Sequence, residues 1–392
     1  MLPGTQEAAM PTTPEGGPAA APRVELELPL GAAPFDLEAA VCSHGLFMMA
    51  PNRWDPASRA LLRPLRLASD RSKSLLARVS RHPARPSHAI LVSVLGADAL
   101  SPLDQDCILE QVRRMLRLSE EDSRVVAEFQ AMHAAAREAG FGRIFRSPKL
   151  FEDMVKCILL CNCQWTRTLS MCAVRASVGA EKFICLPPAA PETGSACQSF
   201  DSSELSLEGC VGDFPTPEEL ANLDEDFLAK RCGLGYRAER IVLLARSIVE
   251  GKVCPQNLEE MQKLSLPASK ELSTILPTYE RLNDELSTIS GFGPFTRANV
   301  LMCMGFFHMI PADTETIRHL KQCHKIASTI KSVHMELDKI YGEYASFQFL
   351  AYWFELWGFC DKQFGKITEM GPSTYRLFTA SALKKQHRLV RK

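Results

Sequence analysis

Residues 286–318, LSTISGFGPFTRANVLMCMGFFHMIPADTETIR, constrain this chain more than any other stretch. Leu282, Leu286 and Ile289 fall at i, i+4 and i+7, the apolar stripe of a helix. Ser290-Gly291-Phe292-Gly293 breaks that stripe. Two glycines two apart let the backbone turn back with positive φ and present its N–H groups. Pro294 suits the first position of a new helix, where a missing N–H costs nothing. Ala298, Leu301, Met302 and Gly305 carry a second stripe. The expectation is a helix, a tight Gly-x-Gly hairpin and a helix whose free N–H groups can seat a phosphate.

Twenty residues past Gly293 (313 − 293 = 20) comes Asp313, in Ile-Pro-Ala-Asp-Thr-Glu-Thr-Ile-Arg. An Asp before a polar turn and then Ile317 and Leu320 is a helix N-cap. Alone, such an Asp is more often a structural cap, and a lone Gly-x-Gly is a common turn. It is their order and spacing that carries information.

Leu286, Ile289, Gly291, Phe292, Gly293, Ala298, Asn299 and Asp313 together resemble the signature of the helix-hairpin-helix (HhH-GPD) DNA glycosylases. That superfamily includes endonuclease III and the 8-oxoguanine and alkyladenine enzymes. The resemblance implies that Asp313 is the catalytic carboxylate. It also implies that Gly291, Phe292, Gly293, Thr296 and Arg297 grip DNA. Bifunctional members carry a Lys two residues after the second Gly. Here Phe295 stands there, and the run is one residue longer than the family's.

Net charge is −1, so any basic surface for nucleic acid has to be local. No apolar run reaches membrane-spanning length. The first residues lack a signal peptide's basic start and apolar core, and Glu7 and Glu15 are unusual in a transit peptide. The 14 cysteines are scattered, with no Cys-x-x-Cys, and only Cys360 lies beyond residue 330. An endonuclease III-type iron–sulfur cluster needs four clustered there, so none is expected. Reduced core thiols in an intracellular protein are expected instead.

Along the chain, residues 1–22 are rich in Pro, Ala, Gly and Thr and are expected to be disordered. Residues 23–125 form a β-containing N-terminal domain, with strands over 24–28 and 88–94. The basic segment between them, from Arg59 to Arg85, is expected on solvated strand faces and loops. From Pro102 the pattern turns helical, with amphipathic stretches over 104–117 and 120–139. Residues 126–370 form the helical glycosylase domain, interrupted by a mobile insertion over 186–214. A basic tail, 371–392, follows. It is a nuclear-import signal, a phosphate contact or a solvated end.

Two further turns stand out. A helix with apolar residues at 151, 154, 155, 158 and 159 ends in Cys161-Asn162-Cys163-Gln164-Trp165. Asn162 is either a satisfied buried amide or a site residue. In the family, this helix end enters the duplex where the base leaves, and 8-oxoguanine enzymes place an Arg five residues on. Asn162 and Arg167 match that spacing, with Gln164 a second candidate. Gly233-Leu234-Gly235-Tyr236-Arg237-Ala238 is either a helix C-cap with a packed Tyr or, by resemblance, the loop whose Tyr wedges into the base stack. Downstream, residues 335–360 are strongly aromatic. The best register sets Phe349 and Trp353 where the 8-oxoguanine enzymes use a Gln and a Phe. Losing the Gln argues against assuming that substrate.

The expected fold is mainly α with an α+β N-terminal domain, the two-lobed helix-hairpin-helix glycosylase architecture. The expected function is hydrolysis of the N-glycosidic bond of a damaged or mispaired base flipped from duplex DNA, without lyase activity. The alternative is a helix-hairpin-helix protein that binds DNA but no longer cleaves. DNA-contacting residues are then Gly291, Phe292, Gly293, Thr296, Arg297, Asn162, Gln164, Arg167, Tyr236 and Arg237. No resident metal or cofactor is expected beyond the monovalent cation that the family's hairpin often holds. A monomer acting on damaged double-stranded DNA in the nucleus, or else in an organelle, completes the reading.

Overall fold

The computed structural model describes residues 22–172, 174–176, 183–185, 212–265 and 272–378. The expected disordered tail before residue 22, most of the expected insertion at 186–214 and the basic end from 379 lie outside the described residues.

Strands β1 (Arg23–Pro29), β2 (Arg53–Asp55), β3 (Ala60–Arg66), β4 (Ser74–Arg81) and β5 (Ala89–Leu95) form one antiparallel sheet in the order β1-β5-β4-β3-β2. The first strand pairs with the last, Leu26 opposite Val92. The alternation read in β1 holds: Leu26 and Leu28 are buried while Glu25 and Glu27 are not.

The basic segment departs from expectation most at Arg63, and also at Arg66, whose side chain is 14% exposed and paired with Asp213 and Glu219. Arg59, Arg81 and Arg85 are exposed, but Arg63 lies in a strand buried along nearly its whole length, with its side chain 1% exposed. A buried charge must be paired. Arg63 donates to Glu152 Oε1 at 3.0 Å and to Asn52 Oδ1 at 2.7 Å, and Lys156 Nζ reaches the same Glu152 oxygen at 2.7 Å. Burial alone would raise the Glu152 pKa, but Arg63 and Lys156 hold it below the ordinary carboxylate range. This ion cluster pins the sheet to the first helix of the site.

Apart from a second, two-stranded sheet of Val174–Ala176 and Phe183–Cys185, the described residues from Pro102 onward are mainly helical, and Ser101 caps the helix Pro102–Met115. The stretch expected over 120–139 breaks at His133 into Glu120–Met132 and Ala134–Glu138. Leu150–Leu160 is buried on nearly every face. Leu272–Ser287 puts Leu282 and Leu286 in the core at 0% exposure, as the stripe predicts. Pro294–Met304 follows, buried from Asn299 to Met304. A helix apolar all round has to be a core helix, and this one packs against Leu150–Leu160. Gln348–Phe364 is the long aromatic helix. Among the described residues no helix is long and apolar enough to cross a membrane.

Candidate functional site

Two helix N-termini and one helix C-terminus meet at one rim. The helix Leu150–Leu160 ends at Cys161, and Asn162 then takes φ +47, a left-handed backbone that Asn tolerates better than most residues. Arg237, at the start of the helix Arg237–Val249, holds that turn by donating to the carbonyls of Cys161 and Asn162. Asn162, Gln164 and Arg167 are all exposed, and Arg167 Nη2 reaches Gly233 O at 3.4 Å.

Tyr236 is 46% exposed, a large aromatic ring left at the surface. Its hydroxyl lies 3.4 Å from Cys161 O. The guanidinium carbons of Arg237 and Arg240 sit 4.5 and 4.7 Å from its ring centre, so two cations orient the ring through its face. Arg240 also touches the hairpin: a Cβ at Gly291 would lie 2.5 Å from Arg240 Cδ. The motif reading left this contact out. Tyr236 and Arg240 are i, i+4 neighbours, the spacing that could have revealed half of it.

The hairpin itself corrects one expectation. Gly291 takes φ +85, as a tight turn requires, but Gly293 has φ −69 and ψ 174, ordinary extended backbone. Gly293 is exposed, and a Cβ there would meet nothing within 4 Å. Conformation therefore demands Gly only at 291. The first helical bond is Arg297 N to Gly293 O at 3.0 Å, so the N–H groups of Phe295 and Thr296 precede it and have no partner within the helix.

Of the residues expected to contact DNA, three have buried side chains, which leaves only their backbone for such a contact. Phe292 is 4% exposed and packs in the core. Thr296 is 1% exposed, its hydroxyl 2.9 Å from Cys161 Sγ. Arg237 is 3% exposed and spends its guanidinium on the Asn162 turn. Arg297 is half-buried and folds back, Nε to Asn283 Oδ1 at 2.8 Å and Nη1 to Phe292 O at 2.9 Å. That last bond sets a guanidinium on a carbonyl of the hairpin itself.

Asp313 caps the short helix Thr314–His319. Its Oδ1 accepts from Glu315 N and Thr316 N, both at 2.9 Å, and lies 3.2 Å from Thr316 Oγ1. Among the described residues its Oδ2 makes no such bond. Thr316 Oγ1 in turn accepts from Tyr352 Oη at 3.2 Å, a phenol whose pKa burial pushes up, so it stays a donor. Asp313 is thus fixed to the aromatic helix as well as to its own.

On that helix Phe349 and Trp353 do not line an open slot. Phe307, Phe349, Trp353, Trp357 and Phe378 form a column of rings 5.4–6.3 Å apart and 15–28° from parallel. The Phe349 side is core, at 1% exposure. The His44 ring packs 4.3 Å from Trp353. Burial first, then the Arg117 charge, push His44 down to about 3, so it packs as a neutral ring.

A buried Gly-turn helix pair, a capped Asp after it and an exposed Tyr turn beside it sit in a mainly helical fold similar to that of MBOgg1. The chain matches the structure of MBOgg1 in complex with a low-affinity DNA ligand over 85% of its own length and 96% of that chain, with a TM-score of 0.52 and 16% identity. At that identity the likeness is one of fold. The apo 8-oxoguanine glycosylase/lyase of Clostridium acetobutylicum superposes with a TM-score of 0.47 at 12% identity, over 79% of this chain and 92% of that one. In sequence, the N-glycosylase/DNA lyase of Saccharomyces cerevisiae (strain ATCC 204508 / S288c) is 26% identical over 138 residues, 34% of this chain and 35% of that protein. The match therefore spans about a third of that curated relative. No family model matches the chain.

Proposed function

We propose that this protein is a DNA base-excision glycosylase that hydrolyses the N-glycosidic bond of a damaged or mispaired base flipped out of duplex DNA. The observation that carries the reading is the convergence at Arg240, which rests on the ring of Tyr236 and on Gly291 at once. It joins a wedge and a phosphate-gripping hairpin into one surface. The partner is double-stranded DNA, bound by a monomer, and the nucleus is the proposed location.

A base inside the duplex cannot be attacked, so it is extruded at a cost of about a few kcal/mol. Tyr236 and Asn162, both exposed, fill the space it leaves. The hairpin takes a phosphate through the N–H groups at the start of Pro294–Met304, next to the open face at Gly293. Cleavage builds positive charge on the deoxyribose. Asp313, with Oδ1 anchored by two backbone N–H groups, stabilises that charge and orients a water through Oδ2.

The finer proposal is that the enzyme has no lyase activity, although its yeast relative is named a glycosylase and lyase. Lyase chemistry needs an amine nucleophile. Phe295 stands at the motif's Lys position, and Lys156 is buried at 0% exposure in its ion pair with Glu152.

The test is a panel of duplexes carrying single oxidised, alkylated, deaminated or mismatched bases. Base release is expected from at least one, with strand breaks only after alkali and no adduct trapped by borohydride. Asp313→Asn is expected to slow release by about a thousandfold or more while DNA affinity holds. A trapped adduct on a lysine, such as Lys149 or Lys321, would overturn the monofunctional reading. Binding without release from any lesion would favour the inactive DNA-binding protein, a reading that the lengthened run supports.

A further inference from the structure

We infer that His319, His324 and Glu355 form a transition-metal site, with Zn²⁺ the ion their chemistry suits. The Nε2 atoms of both histidines converge on one oxygen, Glu355 Oε1, at 2.9 and 2.7 Å. The three ligand atoms lie within 4.8 Å of one another. Two imidazoles and a carboxylate are the protein ligands of many zinc centres, with a fourth position left to solvent.

The backbone is shaped to make this set. Residues five apart on a regular α-helix point to different faces, since 3.6 residues complete a turn. Here Leu320–His324 is a π-helical turn, and its i→i+5 register brings His324 round to the side of His319. Such turns are rare and cluster at functional sites. This one ends on Lys325 at φ 61, a left-handed non-glycine residue.

The surroundings also suit a metal. His319 is buried, its side chain 1% exposed, and its other ring nitrogen, Nδ1, lies 3.5 Å from Cys323 Sγ. A metal-bound imidazole needs such a partner to hold its tautomer. The Tyr341 hydroxyl lies 3.3 Å from His324 Nε2. Zinc ligand atoms sit about 2.0–2.2 Å from the ion, hence about 3.3 Å or more from each other. Glu355 has to back away slightly to admit one, and its side chain, 37% exposed, is free to do so.

The site ties two functional elements together. His319 ends the helix that Asp313 caps, and Glu355 lies on the aromatic helix three residues on from Tyr352, which bonds Thr316. A metal there clamps the carboxylate's helix to its neighbour.

The test uses the full-length protein, stripped by chelator and kept reduced. Titration with Co²⁺ is expected to give visible d–d bands saturating at one equivalent, without a strong near-ultraviolet thiolate band, and Zn²⁺ is expected to displace them. His324→Ala and Glu355→Ala, both at partly exposed positions, should lower Zn²⁺ affinity by more than about a hundredfold, and Cys323→Ala by about tenfold. Asp313→Asn should leave the affinity unchanged. The circular dichroism of each variant checks that it folds. A thiolate band, no binding at micromolar metal, or unchanged affinity in the two ligand variants would overturn the site and leave a hydrogen-bonded triad in its place.

Discussion

At the rim, Asn162 and Gly291 hold left-handed backbone and Tyr236 stands 46% exposed, its ring braced by arginines. At the junction of sheet and helices the arrangement is reversed. Arg63, Glu152 and Lys156 have ordinary helix and strand backbone, side chains 0–3% exposed, and mutual hydrogen bonds in place of water. The rim leaves Asn162, Gln164 and Tyr236 exposed and accepts a left-handed backbone at Asn162. The junction spends its charges on one another, so it can only hold. Substitutions in the two regions should therefore fail differently: at the junction through folding, at the rim through binding and rate.

The largest effect is expected at the junction. Glu152→Gln takes the counter-charge from buried Lys156 and leaves Arg63 with only Asp213, 3.7 Å away, and breaking such a set typically costs about 3–5 kcal/mol. Urea unfolding of the variant measures it. The sign with pH follows from the depressed carboxylate. Its contribution is fully present above about pH 4.3, the unfolded value, and is lost as pH falls toward its folded pKa, about 2. A loss below about 1 kcal/mol would mean water reaches the junction, and the contrast between the regions would collapse.

The two hairpin glycines sharpen the comparison within the rim itself. Gly291→Ala has to strain a backbone at φ +85 and displace Arg240. About 1–2 kcal/mol of stability should go, together with the support under Tyr236. Gly293→Asp meets open space, so stability should hold while a negative charge faces the phosphate. DNA affinity at fixed salt should fall by about tenfold, near 1.4 kcal/mol, and by a similar factor on every sequence, because phosphate contacts position rather than specify. If Gly293→Asp instead unfolded the protein, or left affinity untouched, the hairpin would not be the grip.

How legible the two regions were in the sequence follows from the range of their contacts. Leu282, Leu286 and Ile289 were readable because helical periodicity is local, and Pro294 and Asp313 because their capping chemistry is. Arg63 was not. Its partner Glu152 lies 89 residues away, and a strand buried on both faces shows no alternation to read. The contact of Arg240 was hidden for the same reason, since Gly291 lies 51 residues further on, in the hairpin turn. Gly293 was read as a second left-handed residue because Gly-x-Gly cannot say which glycine turns. His319 and His324 escaped because i, i+5 is not a helical spacing until a π-turn makes it one.

The smallest effect concerns the wedge, and it asks whether the rim acts on DNA at all. If Tyr236 were only a packing residue, removing it would cost the same on every substrate. If it fills the gap left by a flipped base, its value depends on how hard the base is to extrude. A paired lesion must be unstacked and unpaired at about a few kcal/mol, whereas a mispaired or single-stranded one needs little. Tyr236→Ala should therefore slow excision of the paired lesion by about five- to tenfold more than the unpaired one. Stability should barely change, since the ring is 46% exposed and buries little. Arg240→Ala, which removes one of the two cations on the ring while leaving Tyr236 present, should reproduce a weaker form of the same bias. Equal slowing on both substrates would assign Tyr236 to packing and move the wedge elsewhere on the rim, with Asn162 and Gln164 next in line.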